Sequence, residues 1–400
     1  MNETIEFITH GTITSPEGFS AGAAFAGLNK HSRFGLDVGI LFSRMPCTAA
    51  GVFTRNQIKS APVLLCQEHL REPFVRAVIA NSGCANAGTG VHGMEDARAM
   101  AEAVAVKTGI KAAEVLVAST GVIGRRLPVD LIRRAAGAIE LTADGGHDMA
   151  RAIMTTDTAP KETACRAGGF TIGGIAKGAG MIHPNMATML CFITTDVAAP
   201  ADFLTAALKT AADKSFNMVS VDGDTSTNDT VLLLANGSSG QTVGAGSDNA
   251  PLFREALEAL CIRLAKAIAR DGEGATKLIE VVVRGAKSLP EARDAARTIT
   301  SSSLVKTAVH GADPNWGRII AAAGRSQAKI EEDKIALAIC GAPVMQNGAP
   351  LDYDKHQISS LLRREEVLIE LNLNLGNDAA TAWGCDLSAE YVSVNADYTT

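Results

Sequence analysis

Short apolar runs separated by glycine-rich turns fill the first hundred residues. Val38–Phe42, Gly51–Phe53 and Ala77–Ala80 each have the length and composition of a strand. The pattern then changes. An Ala-rich stretch over 94–106 predicts a helix. Val115–Ala118 predicts a strand that ends in Ser119-Thr120-Gly121, and a second helix starts at about Val129, with Pro128 near its first turn. Further helices are expected over roughly 202–213 and from Pro251, where Phe253, Leu257, Leu260, Leu264 and Ile268 keep helical spacing until Asp271-Gly272-Glu273-Gly274 ends the run. The stretch 236–250, NGSSGQTVGAGSDNA, reads as a loop. Met189–Thr195 and Ile279–Val283 read as strands, and 290–324 as mostly helical with a break at Ser301–Ser303. Ile335–Cys340, Val367–Leu373 and Tyr391–Asn395 are strand-like, the last two by alternation. Strands and helices mix without a regular βαβ rhythm or a repeat. This predicts a mixed α/β (α+β) fold with a smaller C-terminal α/β domain.

Composition narrows the function classes. The 400 residues are 46% hydrophobic, enough for a large core and for two or three domains. The net charge is −6 and no long Lys/Arg run occurs, so nucleic acid is not an expected partner. The eight cysteines are scattered with no CxxC pair and read as reduced core residues of a cytosolic protein. The N-terminus carries no secretory pattern, and no apolar run approaches the ~20 residues of a membrane span, so no membrane association is expected.

Phosphate and metal motifs are weak. In Gly173–Ala179 the glycines are five apart, but Ala179 stands where a phosphate-loop lysine is required. Gly88-Thr89-Gly90-Val91-His92-Gly93 has the GxGxxG spacing, yet Asn81–Ala87 separates it from the preceding strand. Asp222-Gly223-Asp224 with Asn228-Asp229 offers oxygen ligands but has Thr227 where a calcium loop needs glycine. It reads as a turn-rich loop closed by Asx hydrogen bonds. The histidines form no zinc pattern, so no metal is expected.

The segment AKGAGMIHPNMATMLCF, 176–192, is more informative. A loop-like composition runs up to Thr188, and a strand follows it. Thr188 reads either as a structural threonine or as a nucleophile. A threonine hydroxyl needs an adjacent base, and a cut just before Thr188 would supply one in the new α-amine, which titrates at about 7.7–8.0. The same hydroxyl could make the cut by attacking the Ala187 carbonyl. Thr120 and Gly121 could offer a hydroxyl and an N–H to the developing oxyanion. His183, one residue before Pro184, titrates in the range of a base but also reads as an ordinary loop histidine.

Several segments together resemble one family. They include Ala49-Ala50-Gly51-Val52-Phe53-Thr54, Asn81-Ser82-Gly83, Ser119-Thr120-Gly121-Val122-Ile123-Gly124 and Ile153-Met154-Thr155-Thr156-Asp157-Thr158. Lys177-Gly178-Ala179-Gly180-Met181, Asn185-Met186-Ala187-Thr188-Met189-Leu190 and Ser220–Ser226 belong to the same set. So do Gly272-Glu273-Gly274-Ala275-Thr276-Lys277, Asp313-Pro314-Asn315-Trp316-Gly317-Arg318 and Tyr391–Tyr398. From about residue 10 to 400 the chain resembles the ArgJ-type ornithine acetyltransferases of arginine biosynthesis. The resemblance implies an ArgJ/DmpA-like fold of layered sheets flanked by helices. It implies self-cleavage between Ala187 and Thr188 into an α chain, 1–187, and a β chain, 188–400. About 188–280 would complete the catalytic core, and about 281–400 would be mostly the smaller C-terminal domain.

The same resemblance makes Thr188 the nucleophile and Thr120 with Gly121 the oxyanion pair. It makes Thr155, Lys177, Thr188, Glu273, Asn395 and Thr400 substrate-binding residues; Thr156 is the neighbouring register for Thr155. The implied reaction moves acetyl from N-acetylornithine to glutamate without metal or organic cofactor, with acetyl-CoA a second donor if the enzyme is bifunctional. The implied assembly is a cytoplasmic heterotetramer of the two chains. Two other readings stay open: a self-processing N-terminal-nucleophile aminopeptidase or amidohydrolase, and a non-catalytic amino-acid-binding protein.

Overall fold

The computed structural model describes residues 4–30, 32–183 and 189–397. Two mixed sheets and the helices around them make up the described chain. One sheet runs in the order Glu6–Phe7, Lys161–Ala167, Phe170–Lys177, Leu190–Thr195, Thr230–Ala235, Val38–Phe53, Val75–Asn81, Val115–Ser119, with Phe19–Ala24 also paired to Val38–Phe53. The other runs Ala349–Pro350, Ala342–Gln346, Ala336–Ile339, Glu366–Asn372, Leu278–Ala286, Asp378–Cys385, Val219–Ser220. The fold is mixed α/β, as the sequence pattern indicates.

The helix Ala250–Arg270 joins the two sheets. Its apolar stripe, Phe253, Leu257, Leu260, Leu264 and Ile268, is buried in one continuous cluster with residues from strands of both sheets. Burial of such side chains contributes about 1.5–3 kcal/mol each. The helix stops at Asp271 and delivers Glu273 to the loop beside the first sheet, where the Glu273 N–H donates to the Ala179 carbonyl at 2.9 Å.

Two expectations are corrected. Val38–Phe42 and Gly51–Phe53 are parts of a single 16-residue strand, Val38–Phe53. The polar, proline-containing interval Ser43-Arg44-Met45-Pro46 suggested a turn. It is instead an irregularity where the pairing with Val75–Asn81 shifts register, and Pro46, lacking an N–H, is tolerated there. Tyr391–Asn395, expected as a strand, lies in the helix Ala389–Asp397. The alternation spans only five residues and meets no sheet edge. Hydrogen bonds one turn back, from Asn395 to the Tyr391 carbonyl and from Ser393 to that of Ala389, accompany the helix instead.

Candidate active site

The Thr-Gly pair is built first. Val115–Ser119 lies parallel to Val75–Asn81, with Ser119 beside Asn81. The Ser119 hydroxyl donates to Asn81 Oδ1 at 2.6 Å, and the Thr120 N–H donates to the Asn81 carbonyl at 3.0 Å. Asn228 Nδ2 donates to the carbonyls of Ser119 and Ala85, which ties the turn to the Asn81–Ala87 loop. Gly121 has φ +125°, and a Cβ there would come within 2.4 Å of the Gly83 carbonyl carbon. Only glycine suits this position. Its N–H makes no hydrogen bond among the described residues.

Lys177 ends the strand Phe170–Lys177, pairs with Leu190 across the sheet, and is 2% exposed. Its ammonium donates to Thr120 Oγ1 at 3.3 Å. Burial pushes the Lys177 pKa below the ordinary lysine value, the Asp157 carboxylate pulls it back up, and Lys161 adds to the lowering.

Asp157 is the hub beneath the site. Its Oδ1 accepts from Lys161 Nζ at 2.6 Å and from the Gly178 N–H at 2.7 Å, and its Oδ2 accepts from the Thr155 N–H at 3.0 Å. Burial alone would raise this carboxyl's pKa. The ammonium groups of Lys161 and Lys177 outweigh it and hold Asp157 well below the usual carboxylate range. Burial works against the charge of Lys161 too, but Asp157 and Asp271, the latter also at 2.6 Å, keep its pKa above the usual value.

A second group gathers around Glu273. Asn395 Nδ2 donates to Glu273 Oε2 at 2.8 Å. Gly180 makes room for this carboxylate, because a Cβ there would stand 2.4 Å from the Glu273 carboxyl atoms. Asp222 accepts from the N–H groups of Met181 and Ile182. Burial raises its pKa against the pull of those N–H groups. Tyr391 is pushed up to about 12 by burial and by Asp222 and Glu273.

These groups share one cavity of about 230 Å³. Thr120, Gly121, Thr155, Lys177, Glu273 and Asn395 all line it, although they span 276 positions of sequence (395 minus 120, both counted). Thr156 lines it beside Thr155. Ala187, Thr188 and Thr400 lie outside the described residues. The described chain resumes at Met189, whose N–H donates to Asp229 Oδ1 at 3.2 Å and whose carbonyl accepts from the Thr230 N–H at 3.1 Å. His183 does not line the cavity; its Nδ1 is 3.2 Å from Ser220 Oγ.

Sequence reasoning missed Asp222, Asp224 and Tyr391 as lining residues. The Asx-turn reading of 222–224 is correct in part, since Asp222 Oδ1 accepts from the Asp224 N–H at 3.4 Å. Its larger role is to latch Met181 and Ile182, a contact 40 residues distant in sequence that no local pattern encodes. Among the described residues, no three His, Cys, Asp or Glu side chains are grouped so that they could hold a metal ion.

A mixed α/β fold thus gathers a Thr-Gly turn, a buried ammonium and carboxylates around one cavity. A family model described as "ArgJ family" matches residues 20–400. The chain belongs to the ArgJ family. It is 54% identical to the arginine biosynthesis bifunctional protein ArgJ of Dehalococcoides mccartyi, with 100% of both chains covered. It is 41% identical to a solved chain of the Bacillus halodurans ArgJ protein, covering 51% of this chain and 97% of that one, with a TM-score of 0.50. It is also 41% identical to a chain of the Mycobacterium tuberculosis ornithine acetyltransferase solved with ornithine, covering 45% of this chain and 98% of that one, with a TM-score of 0.42.

Proposed function

We propose that the protein cuts itself between Ala187 and Thr188 and then moves acetyl from N-acetylornithine to glutamate through an acetyl-Thr188 ester. The observation that carries this reading is the convergence of Thr120, Gly121, Thr155, Lys177, Glu273 and Asn395 on one small cavity. In the cut, Thr188 Oγ attacks the Ala187 carbonyl, the C–N bond breaks, and the freed amine takes a proton. Water then opens the ester and leaves a carboxylate on Ala187. The solved Bacillus halodurans chain is about half the length of this one and almost wholly covered by it, as a chain cut near its middle requires.

The transfer then runs in two halves. The Thr188 α-amine takes the hydroxyl proton as Oγ attacks the acetyl carbonyl, and returns it to the leaving amine of ornithine. Thr120 Oγ1 and the Gly121 N–H stabilise the oxyanion, such donors being worth about 2.7–4 kcal/mol each. The Lys177 ammonium suits a substrate α-carboxylate, and Glu273, held by Asn395, suits an ammonium. Glutamate attacks the ester in the second half and the proton path reverses. Acetyl-CoA serves as a second donor in the bifunctional form of this reading, with no metal or organic cofactor. The two chains would stay associated, because Leu190–Thr195 and Thr230–Ala235 lie between Phe170–Lys177 and Val38–Phe53 in one sheet. Pairing of two such units would give a cytoplasmic heterotetramer.

The test is the denatured mass of wild type beside Thr188→Ala, followed by acetyl-transfer assays. Two masses split before Thr188 in wild type, one mass in the variant, and acetyl on glutamate are expected. A single 41.5 kDa chain in both samples overturns the reading. Acetate release without an amine acceptor turns it toward a hydrolase.

A further inference from the structure

A second cavity, of about 950 Å³, adjoins the first and shares Thr155, Thr156 and Glu273 with it. The helix Ala389–Asp397 lines both. Tyr391 and Asn395, one turn apart, line the smaller cavity, while Glu390, Val394 and Asp397 line the larger.

The acetyl-transfer reading poses a recognition problem that one cavity does not solve. The leaving amino acid, ornithine, ends in an ammonium, and the arriving one, glutamate, ends in a carboxylate. Both must bring an α-amino group to the same acyl carbon. The smaller cavity carries Asp222, Asp224 and Glu273, which attract an ammonium and repel a carboxylate. The acceptor's side chain needs a cation elsewhere.

The larger cavity has three candidate cations. Lys161 is taken up by Asp157 and Asp271, both at 2.6 Å. Arg270 pairs with Glu365 at 3.0 Å. Arg33 has no carboxylate at ion-pair distance among the described residues; its Nη1 reaches only the Thr158 carbonyl, at 3.5 Å. The segment a few residues before it is anchored. The buried Asp37 carboxylate accepts the N–H groups of Ala26, Leu28 and Asn29, and Asn29 Nδ2 donates to the Met154 carbonyl, one residue before Thr155. Arg33 is thus an exposed guanidinium, with no carboxylate partner among the described residues, set beside Thr158, two residues after Thr156, which lines both cavities. Glu273, Glu390 and Asp397 also line this cavity and disfavour an anion near themselves, while Asp271 is paired with Lys161, which leaves the Arg33 wall as its place.

We infer, resting on the acetyl-transfer reading, that the larger cavity is the side-chain subsite of the acyl acceptor and that Arg33 binds its carboxylate. The planar guanidinium fork suits a carboxylate in two-point contact, which a glutamine amide could not reproduce.

The test compares Arg33→Gln with wild type in three reactions of the self-processed protein. These are acetyl transfer from N-acetylornithine to isotopically labelled ornithine, to glutamate, and to glutamine. Loss of one charge-assisted contact is expected to raise the glutamate KM by about tenfold or more, with kcat near wild type. Exchange into labelled ornithine, which uses no side-chain carboxylate, is expected to hold within about twofold, and it also reports that the variant is folded. Discrimination between glutamate and glutamine should collapse. An unchanged glutamate KM, or an equal loss in ornithine exchange, overturns the subsite. Wild type that transfers acetyl to neither amino acid overturns the functional reading itself, an outcome distinct from any effect of Arg33.

Discussion

The Lys177 ammonium, 2% exposed, donates to Thr120 Oγ1 at 3.3 Å, so a cation is seated on the hydroxyl expected to face the oxyanion. Thr120→Ala removes that hydroxyl and leaves the Gly121 N–H. The expected result is a loss of about 10²–10³ in kcat with little change in KM, because the donor acts only in the transition state. Steady-state kinetics decide it; a change confined to KM would move Thr120 from catalysis to ground-state binding.

The pH dependence on the alkaline side follows from the same contact. Burial lowers the Lys177 pKa, so the charged form is lost at a pH below that of an ordinary lysine. The groups acting on it are Asp157, Glu273 and Asp229, which favour its charge, and Lys161, which opposes it. Asp157→Asn removes the strongest of the favourable charges. The alkaline limb of kcat/KM should therefore move to lower pH. A limb that stays in place would mean that Lys177 does not set it.

Asp157 also bears on stability. Its folded pKa is depressed, so its contribution is complete above the unfolded value, about 3.9, and is lost as pH falls through the folded value. Lys161 has the opposite sign: its folded pKa is raised, so its contribution is complete below about 10.4 and is lost as pH rises through the folded value. Denaturant melts should show a plateau between these limits. Asp157→Asn leaves Lys161 buried with Asp271 alone, and breaking a buried pair costs about 3–5 kcal/mol.

Two glycines should respond differently to alanine. At Gly121 the added Cβ meets backbone at 2.4 Å in a positive-φ turn, so Gly121→Ala should destabilise by about 1–3 kcal/mol and disturb the Thr120 turn. At Gly180 the three atoms nearest the Cβ are the carboxyl atoms at the flexible end of Glu273, each at 2.4 Å. Gly180→Ala should therefore leave the melting temperature nearly unchanged. It should raise KM for the ammonium-bearing substrate about tenfold, the size of one lost charge-assisted contact. Comparable melting losses in the two variants would refute the distinction.

The contrast between these glycines shows what the sequence made legible. Strand and helix positions followed from periodicity wherever one face is buried, as along Ala250–Arg270 with its five-residue apolar stripe. Over Tyr391–Asn395 a five-residue alternation carries too little information, and the segment is helical, with Asn395 bonded one turn back to Tyr391 and across to Glu273. Pro46 misled because a bulge and a turn share the same residue chemistry. Thr120 is legible as a hydroxyl at the end of a predicted strand, whereas Lys177 and Glu273 are legible only through motif resemblance. The Asp222 latch and the Lys161–Asp271 pair have no local signature, since they join positions about 40 and more than 100 apart.

The start of the strand after the proposed cut is held by one side chain. Met189 donates its N–H to Asp229 Oδ1, and its carbonyl accepts from the Thr230 N–H, so Met189 is held through both of its backbone polar groups. Asp229 is fully buried, and its other oxygen, Oδ2, has no hydrogen-bond partner among the described residues; the nearby Thr54 hydroxyl donates to the Ser226 carbonyl. Burial raises the Asp229 pKa well above the usual carboxylate value. If Asp229 acts by holding the Met189 amide, an uncharged acceptor of the same shape should suffice. Asp229→Asn keeps an oxygen for that N–H and is expected to self-cleave within about tenfold of wild type. Asp229→Ala loses it, and a displacement on the order of 1 Å at a reacting group costs about 10²-fold. The appearance of the two fragments by denatured mass over time measures both rates. Equal rates in the two variants would sink the positioning role. Failure of Asn and Ala alike, with melting temperatures preserved, would show that the acidic proton of Asp229 is required instead.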